Sequence, residues 1–350
     1  MWQQLCWRGK SFAEGEEAVS YCYSTLQEIE AEGFTRKAVR QLRGSGKWSR
    51  FPHRLNFSHA DLSLPVNTRK AQRQSISGVQ DKVLLDLVGN DLQVVDNGGN
   101  YILKPKPSNP YAKFLSDVPA NEHVTMQIAG QIFGINVAVN SCIRFNDGEL
   151  AYITKRFDRR DGLPILQEDL CQLMGRSEET HGENYKYDCS YEEMVDTVKA
   201  YCPTHKIALF QIFYRLLFNY VFANGDAHLK NFSLCQGESG DYILSPAYDL
   251  LNTLLHFPNE LGRTALDLFR DDYMTPEYEK FGYYTEIDFI RLGAFYGVSE
   301  AGVMKMIATF RAARQRVEDM IQRSFLSDAA KQKYIEIFHD RLMAFNKTTI

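Results

Sequence analysis

The residue pattern changes character once along this chain, near residues 155–157, and that change limits what it can fold into. Before it, apolar residues come in short runs: Val83-Leu84-Leu85-Asp86-Leu87-Val88, which ends at Gly89-Asn90, then Leu92-Gln93-Val94-Val95-Asp96, and Tyr101-Ile102-Leu103-Lys104. Aliphatic and β-branched residues between Gly/Asn turns such as Asn97-Gly98-Gly99-Asn100 predict a meander of short strands. Segments 137–139, 142–145 and 150–157 read the same way. One helix interrupts over 121–130, with Val124 and Ile128 at helical spacing and Asn121 as its N-cap. After Arg160 the segments lengthen. Residues 192–201, 207–223, 288–296, 300–323 and 328–343 predict helices, and in the fourth Val303, Ile307, Phe310, Val317 and Ile321 share one face. A β-rich N-lobe (1–156) and an all-helical C-lobe (157–350) predict an α+β chain with a cleft between two lobes.

The first 74 residues are less regular. Residues 12–32 are rich in Glu and Ala and predict a helix. From 36 to 73 the charge is basic, with Arg36, Lys37, Arg40, Arg43, Lys47, Arg50, Arg54, Arg69, Lys70 and Arg73 against Asp61 alone. Gly44, Gly46 and Pro52 interrupt this stretch and argue against a long regular element. The net charge of the whole chain is −4. That excludes a globally basic nucleic-acid binder, and the basic stretch reads as a protein contact or a solvated face, with no direct DNA binding expected. Seven cysteines without a Cys-x-x-Cys pair argue against a zinc ribbon and against a secreted disulfide framework. The start Met1-Trp2-Gln3-Gln4 lacks a signal-peptide layout, and no apolar stretch approaches the roughly 20 residues that span a bilayer. The expectation is a cytoplasmic protein without membrane contact.

The chemistry-bearing residues cluster after the apolar run 207–223. There the chain reads Asn224-Gly225-Asp226-Ala227-His228-Leu229-Lys230-Asn231, followed after a short turn by Ser245-Pro246-Ala247-Tyr248-Asp249. An Asp and an Asn five residues apart, with a second Asp downstream, form the polar set of a phosphoryl-transfer site. One carboxylate takes the proton of a hydroxyl, while the carboxamide and the second carboxylate are hard oxygen ligands of the kind Mg²⁺ takes. On this reading Asp226 is the general base and Asn231 and Asp249 hold Mg²⁺. His228 braces the loop, a second base being its alternative. Lys230 lies near the transferred phosphate or is an ordinary solvated lysine. A polar turn at a helix end is the competing account of Asp226.

Upstream, Ser75-Ile76-Ser77-Gly78-Val79-Gln80-Asp81-Lys82 precedes the first clear strand. Small residues there let backbone N–H groups approach phosphates, although a flexible turn explains them equally and neither Walker A nor Gly-x-Gly-x-x-Gly is present. Phosphorylation of its serines would set about two negative charges where ATP phosphates must sit. Lys104, at a strand end before Pro105, is placed to meet the α- and β-phosphates, with Glu122 on the next helix to hold it. The alternatives are a surface lysine and a first-turn glutamate favoured by the helix dipole. Gln167-Glu168-Asp169-Leu170-Cys171-Gln172 reads as a helix-start cap in preference to an acid–base pair. ATP and Mg²⁺ are the expected cofactors.

In order and spacing these segments, with Asn121-Glu122 and Ile153-Thr154-Lys155-Arg156-Phe157-Asp158-Arg159, resemble the HipA-like serine/threonine kinases of bacterial toxin–antitoxin systems over about residues 70–345. The resemblance implies a two-lobe protein-kinase-like fold using ATP and Mg²⁺. It implies Asp226 as base, Asn231 and Asp249 on the metal, and Lys104 on the phosphates. Ser75, Ser77, Gly78, Val79, Gln80 and Lys82 would form the phosphate loop, and the backbone of Lys155, Arg156 and Phe157 would meet adenine. Lys155 stands where HipA proper has an acid, so side-chain contacts to the nucleotide are not carried over there. The implied substrate is an aminoacyl-tRNA synthetase, phosphorylated on a serine so that growth arrests, and the implied partner is a HipB-like DNA-binding antitoxin. The short head and the Ser75-Ile76-Ser77 tripeptide are similar to the compact HipT toxins of three-gene HipBST systems. That likeness implies tryptophanyl-tRNA synthetase as target, a small HipS-like partner, and autophosphorylation of Ser75 and Ser77. A small-molecule phosphotransferase and a catalytically silent antitoxin-binding module are the rival readings.

Overall fold

The computed structural model describes residues 19–44, 50–62, 81–109, 111–160, 162–258 and 264–345. The predicted meander is present. Five antiparallel strands lie in the order Asp91–Val94, Val83–Val88, Tyr101–Lys104, Leu150–Lys155, Asn140–Arg144. Gly99 is obligatory in its turn, because at φ +54 an added Cβ would stand 3.0 Å from the Leu85 carbonyl oxygen. One face of the sheet buries Leu85, Leu92, Leu103, Ile143, Ala151 and Ile153 with Leu42, Phe51 and Leu55 of the head. Side chains alternate along a strand, so Lys104, next to Leu103, faces the other way. It pairs across the strands with Tyr152, on the side covered by the helix Val118–Gln127.

That helix starts three residues earlier than predicted, with Pro119 in its first turn, where a missing N–H is harmless. Asn121 is therefore not its N-cap. The carboxamide is fully buried and reads the backbone of Asn252, donating to its carbonyl (2.8 Å) and accepting from its N–H (3.0 Å).

The helix predicted over 12–32 is absent across residues 19–32; residues 12–18 lie outside the described residues. Ser20–Tyr21 and Glu28–Ile29 instead form a short hairpin. The reason is tertiary. The Tyr23 carbonyl accepts from the Cys142 N–H (2.9 Å) and the Ser24 carbonyl contacts His123 Nε2 (2.9 Å), and a helix would have consumed both acceptors internally. The basic stretch contributes the helix Arg36–Arg43, capped by Thr35, which buries Ala38 and Leu42 and exposes Arg36, Lys37 and Arg40. Beyond it a parallel bridge from Arg54 to Arg144 covers the outer strand, closing an otherwise open sheet edge.

The second part is organised around the helix His205–Val221, whose last six residues are all buried. Phe218 and Phe222 stack on each other (4.3 Å), Phe222 meets Phe338 (5.1 Å), and Phe133 carries the contact to Phe310 (4.6 Å). The single helix predicted over 300–323 is two, Glu300–Ala312 and Arg314–Gln322, broken at Ala313. The break re-aims the second helix against Asp328–Ala344, and Val303, Ile307, Phe310, Val317 and Ile321 are fully buried as predicted. This half is not purely helical. Gln167–Asp169, Ser233–Gln236 and Tyr242–Leu244 form a small antiparallel sheet, whose strands are too short to display an alternation. Among the described residues no helix is long and apolar enough to cross a membrane.

Candidate active site

The segment 224–231 is a loop because the core helix is stopped and turned. Ala223 adopts a left-handed conformation (φ +51), and its carbonyl accepts from both the N–H and the hydroxyl of Thr253 (3.0 Å each). The same hydroxyl accepts from the Gly225 N–H (2.8 Å), and Asn224 Oδ1 accepts from the Asp226 N–H (3.2 Å). A short 3₁₀ turn, Leu229–Asn231, then leads into the strand Ser233–Gln236 with Leu229 and Phe232 buried.

Asp249 is held from both halves of the molecule. The Ala247 N–H donates to the Asn136 carbonyl (2.7 Å) and the Ala247 carbonyl accepts from Ala138 (2.9 Å). The Tyr248 hydroxyl donates to the Lys230 carbonyl (2.7 Å) and touches the Ser233 hydroxyl. The residue before Asp249 is thus tied to the residue before Asn231. Asp249 itself is left-handed (φ +55), a conformation of higher energy for a non-glycine residue that recurs where function fixes a side chain.

Lys104 connects the halves electrostatically. Its Nζ donates to Glu122 Oε1 (2.6 Å) and, more closely still, to Asp249 Oδ1. Lys104 is 4 % exposed and Glu122 1 %. Burial works against the ammonium, but the two carboxylates overcome it and hold the lysine pKa above its ordinary value. Burial alone would raise Asp249; Lys104 and Lys82, whose Nζ lies 3.8 Å from Oδ2, hold it well below the carboxylate range. Glu122 is pushed up to about 7 by its burial, Lys104 counteracting and Asp249 adding to the shift. Of the two carboxylates on Lys104, Asp249 is therefore the firm anion.

The described residues contain no group of three His, Cys, Asp or Glu side chains able to hold a metal. One carboxylate and one carboxamide, with phosphates and water supplying the rest, is a set that suits Mg²⁺. Asn231 Oδ1 is buried without a hydrogen-bond partner. A buried unpaired amide oxygen is costly, and a cation beside it would satisfy it. Asn231 and Asp249 thus fit the expected ion.

Asp226 is nearly covered, its side chain 8 % exposed. Its Oδ1 accepts from the Tyr187 hydroxyl (2.5 Å) and lies 4.0 Å from His228 Nε2. Lys186 Nζ donates to that Nε2 (2.8 Å), and the Tyr187 ring meets the imidazole edge-on at 5.1 Å. Burial, with Lys186 adding to it and Asp226 opposing, brings the His228 pKa down to about 4. His228 is thus neutral near pH 7 and accepts at Nε2. Lys230 does not point freely into the site; its Nζ pairs with Asp169 Oδ2 (2.6 Å). Asp169 caps the helix Leu170–Leu173 with Gln172 in a capping box, as the sequence suggested.

The three buried histidines carry a stability prediction. His123, His228 and His256 are each lowered to about 4, burial being the main cause. The unfolded chain takes up protons below about pH 6.5 while the folded chain does not. Their contribution is present above that pH and lost as pH falls towards 4, at most about 3 kcal/mol per histidine. Thermal unfolding followed from pH 7.5 to 4.5 should show a steep fall in Tm below pH 6.5; a flat profile would contradict it.

The adenine-side residues are placed differently. The Lys155 N–H donates to the Val139 carbonyl (2.8 Å) and the Arg156 N–H to Asn100 (2.9 Å), so neither is free for a base. The Arg156 guanidinium is committed to Asp158 and the Gly98 carbonyl. Lys155 is half-buried, burial lowering its pKa, and its Nζ sits 3.2 Å from where a Gly44 Cβ would stand, at the C-terminus of the helix Arg36–Arg43. Phe157 packs on Tyr248 (5.5 Å). Ser75, Ser77, Gly78, Val79 and Gln80 lie outside the described residues. Reading the sequence missed Tyr187, Lys186 and Tyr248. Nothing in the polar stretch around Tyr187 signals a contact 39 residues downstream, whereas Tyr248 adjoins a candidate ligand and was within reach.

A family model described as "HipA-like C-terminal domain" matches residues 74–326. A Haemophilus influenzae protein named "Putative kinase" is 28% identical over 312 residues, covering 85% of this chain and 88% of that one. The "Serine/threonine-protein kinase toxin HipA" of Shewanella oneidensis is 27% identical over 217 residues, 56% of this chain and 48% of that one, so the chain spans about half of that relative. Among solved structures, the Shewanella oneidensis HipA, HipB and operator DNA complex aligns with a TM-score of 0.60 at 22% identity, covering 78% of this chain and 65% of that one. The Helicobacter pylori proinflammatory kinase CtkA aligns at 0.51 and 13% identity, covering 75% and 94%. Both structures share the two-lobe fold.

Proposed function

The chain belongs to the HipA-like C-terminal domain family, and from that premise we propose that it is an ATP- and Mg²⁺-dependent protein serine/threonine kinase. One observation carries the reading: Lys104, Glu122 and Asp249 converge from two halves of the molecule, and Tyr248 ties the Asp249 segment to the loop that carries the buried, unpaired Asn231 oxygen. Lys104 and Lys82 bind the triphosphate, and Lys104 exchanges part of its pairing with Asp249 for phosphate oxygens. Bound Mg²⁺ would neutralise charge developing on the transferred group. Asp226 orients the acceptor hydroxyl and takes its proton, with neutral His228 fixing the loop. Lys230 supports the loop through Asp169.

In the same reading the protein is the toxin of a toxin–antitoxin module. Its acceptor is an aminoacyl-tRNA synthetase, with the tryptophanyl enzyme the expectation of the HipT-like head, and Ser75 and Ser77 are phosphorylated in the chain itself. The relative solved with HipB and operator DNA supports a HipB-like antitoxin as partner here; a HipS-like protein is the second expected partner. One comparison tests all of this. Cells expressing wild type or Asp226→Ala are analysed by phosphoproteomics. Wild type should stop growth and add phosphates to a synthetase and to residues 75–77, while the variant is harmless and transfers at least about 10²-fold less. Equal toxicity of the two proteins would rule out phosphoryl transfer as the mode of action.

A further inference from the structure

Asp226 has a hydroxyl on it already. The Tyr187 phenol donates to Oδ1 at 2.5 Å, the kind of contact a serine acceptor makes with a general base. The phenol is held there from three sides. The Lys186 carbonyl accepts from the Leu229 N–H (3.2 Å), Lys186 Nζ reaches His228, and the tyrosine ring rests on the imidazole. With Tyr187 in place the carboxylate is almost closed to solvent. The segment before it lies at the surface, with residues 178–184 exposed and Gly175 and Gly182 in left-handed turns (φ +67 and +70).

A kinase loaded with ATP and lacking its acceptor faces water as a competing nucleophile. We propose that Tyr187 is a positioning residue that guards Asp226 against water, its hydroxyl standing in for the acceptor until a protein serine displaces it. The inference rests on the kinase reading above. Without the phenol hydroxyl, water can take its place at Oδ1. Its oxygen then bonds to the γ-phosphorus, the bond from that phosphorus to the β–γ bridging oxygen breaks, ADP leaves, and the water proton passes to Asp226 and on to solvent. ATP and water thus become ADP, phosphate and a proton.

Tyr187→Phe keeps the ring against His228 and removes only the hydroxyl. The full-length protein is given Mg²⁺ and ATP with no protein acceptor, and inorganic phosphate is followed over many turnovers. Phosphate release reports hydrolysis alone, because autophosphorylation leaves the γ-phosphate on protein. Losing one charge-assisted hydrogen bond at the base should raise the rate about tenfold. The rise should vanish in Tyr187→Phe/Asp226→Asn, and Tyr187→Leu should behave like Tyr187→Phe. An unchanged rate in folded Tyr187→Phe, judged by its melting temperature, overturns the proposal, and a slower one overturns it by making the tyrosine an aid to catalysis. A rise that survives in the double variant overturns it too, since the water would then not be acting through Asp226. If wild type and Tyr187→Phe neither release phosphate nor label any protein, the kinase reading itself fails, and this one with it.

Discussion

Asp249→Ala should abolish phosphoryl transfer, lowering it by about 10³-fold or more, while the chain stays folded. Asp249 is the firm anion beside Lys104, kept ionised by Lys104 and Lys82, so it supplies the charge that a divalent ion needs. Its removal does not orphan Lys104, which keeps Glu122 at 2.6 Å. The ion pairs that the Asp249 side chain gives up are those with the two lysines. The melting temperature should therefore move by only a few degrees, roughly the effect of 1 kcal/mol in a chain of this size. Asp249→Asn retains an oxygen ligand without its charge and should fall between the two. The measurement is transfer of labelled phosphate from ATP across a range of Mg²⁺. Full activity of Asp249→Ala at any Mg²⁺ concentration would remove this residue from the site.

Lys104→Met should be the variant that damages both activity and the fold. It leaves Glu122 and Asp249 facing each other with one cation fewer. Breaking a buried pair by removing one partner costs about 3–5 kcal/mol. Part of that is recoverable by protonation. Glu122 already sits up near 7, and losing Lys104 raises it further, whereas the unfolded chain ionises near its ordinary value. A group raised in the folded state destabilises as pH climbs past the unfolded pKa. Denaturant unfolding should accordingly show a larger loss at pH 8 than at pH 6. Lys104→Met/Glu122→Gln should regain much of the stability and none of the activity, because it removes the uncompensated charge without restoring a phosphate ligand. Equal losses at both pH values would mean that Glu122 is not the group left exposed to the imbalance.

What could be read in the residues depends on how local the cause is. The meander over 83–104, the core helix and the apolar face of 303–321 were legible because their periodicities are set within a few residues by the burial of one side. Asp226, Asn231 and Asp249 could be proposed as a set because their spacing fits one chemistry. The head was misread over 19–32 because the Tyr23 and Ser24 carbonyls are claimed by the strand Asn140–Arg144 and His123, more than 90 residues away. Asn121 was misread as a cap because its partner, Asn252, is equally distant.

The sequence alone thus determined the candidate side chains and that a sheet and a helical body must be present, since composition, period and spacing are properties of neighbours in the chain. Only the tertiary structure decided which of them meet. It brought Lys104 to Asp249 across 145 residues, gave Lys230 to Asp169, and set Tyr187 on Asp226. The physical reason is that a charge or hydroxyl carries no local preference for its partner; the packing of the two halves brings it into range, and desolvation there makes the pairing strong.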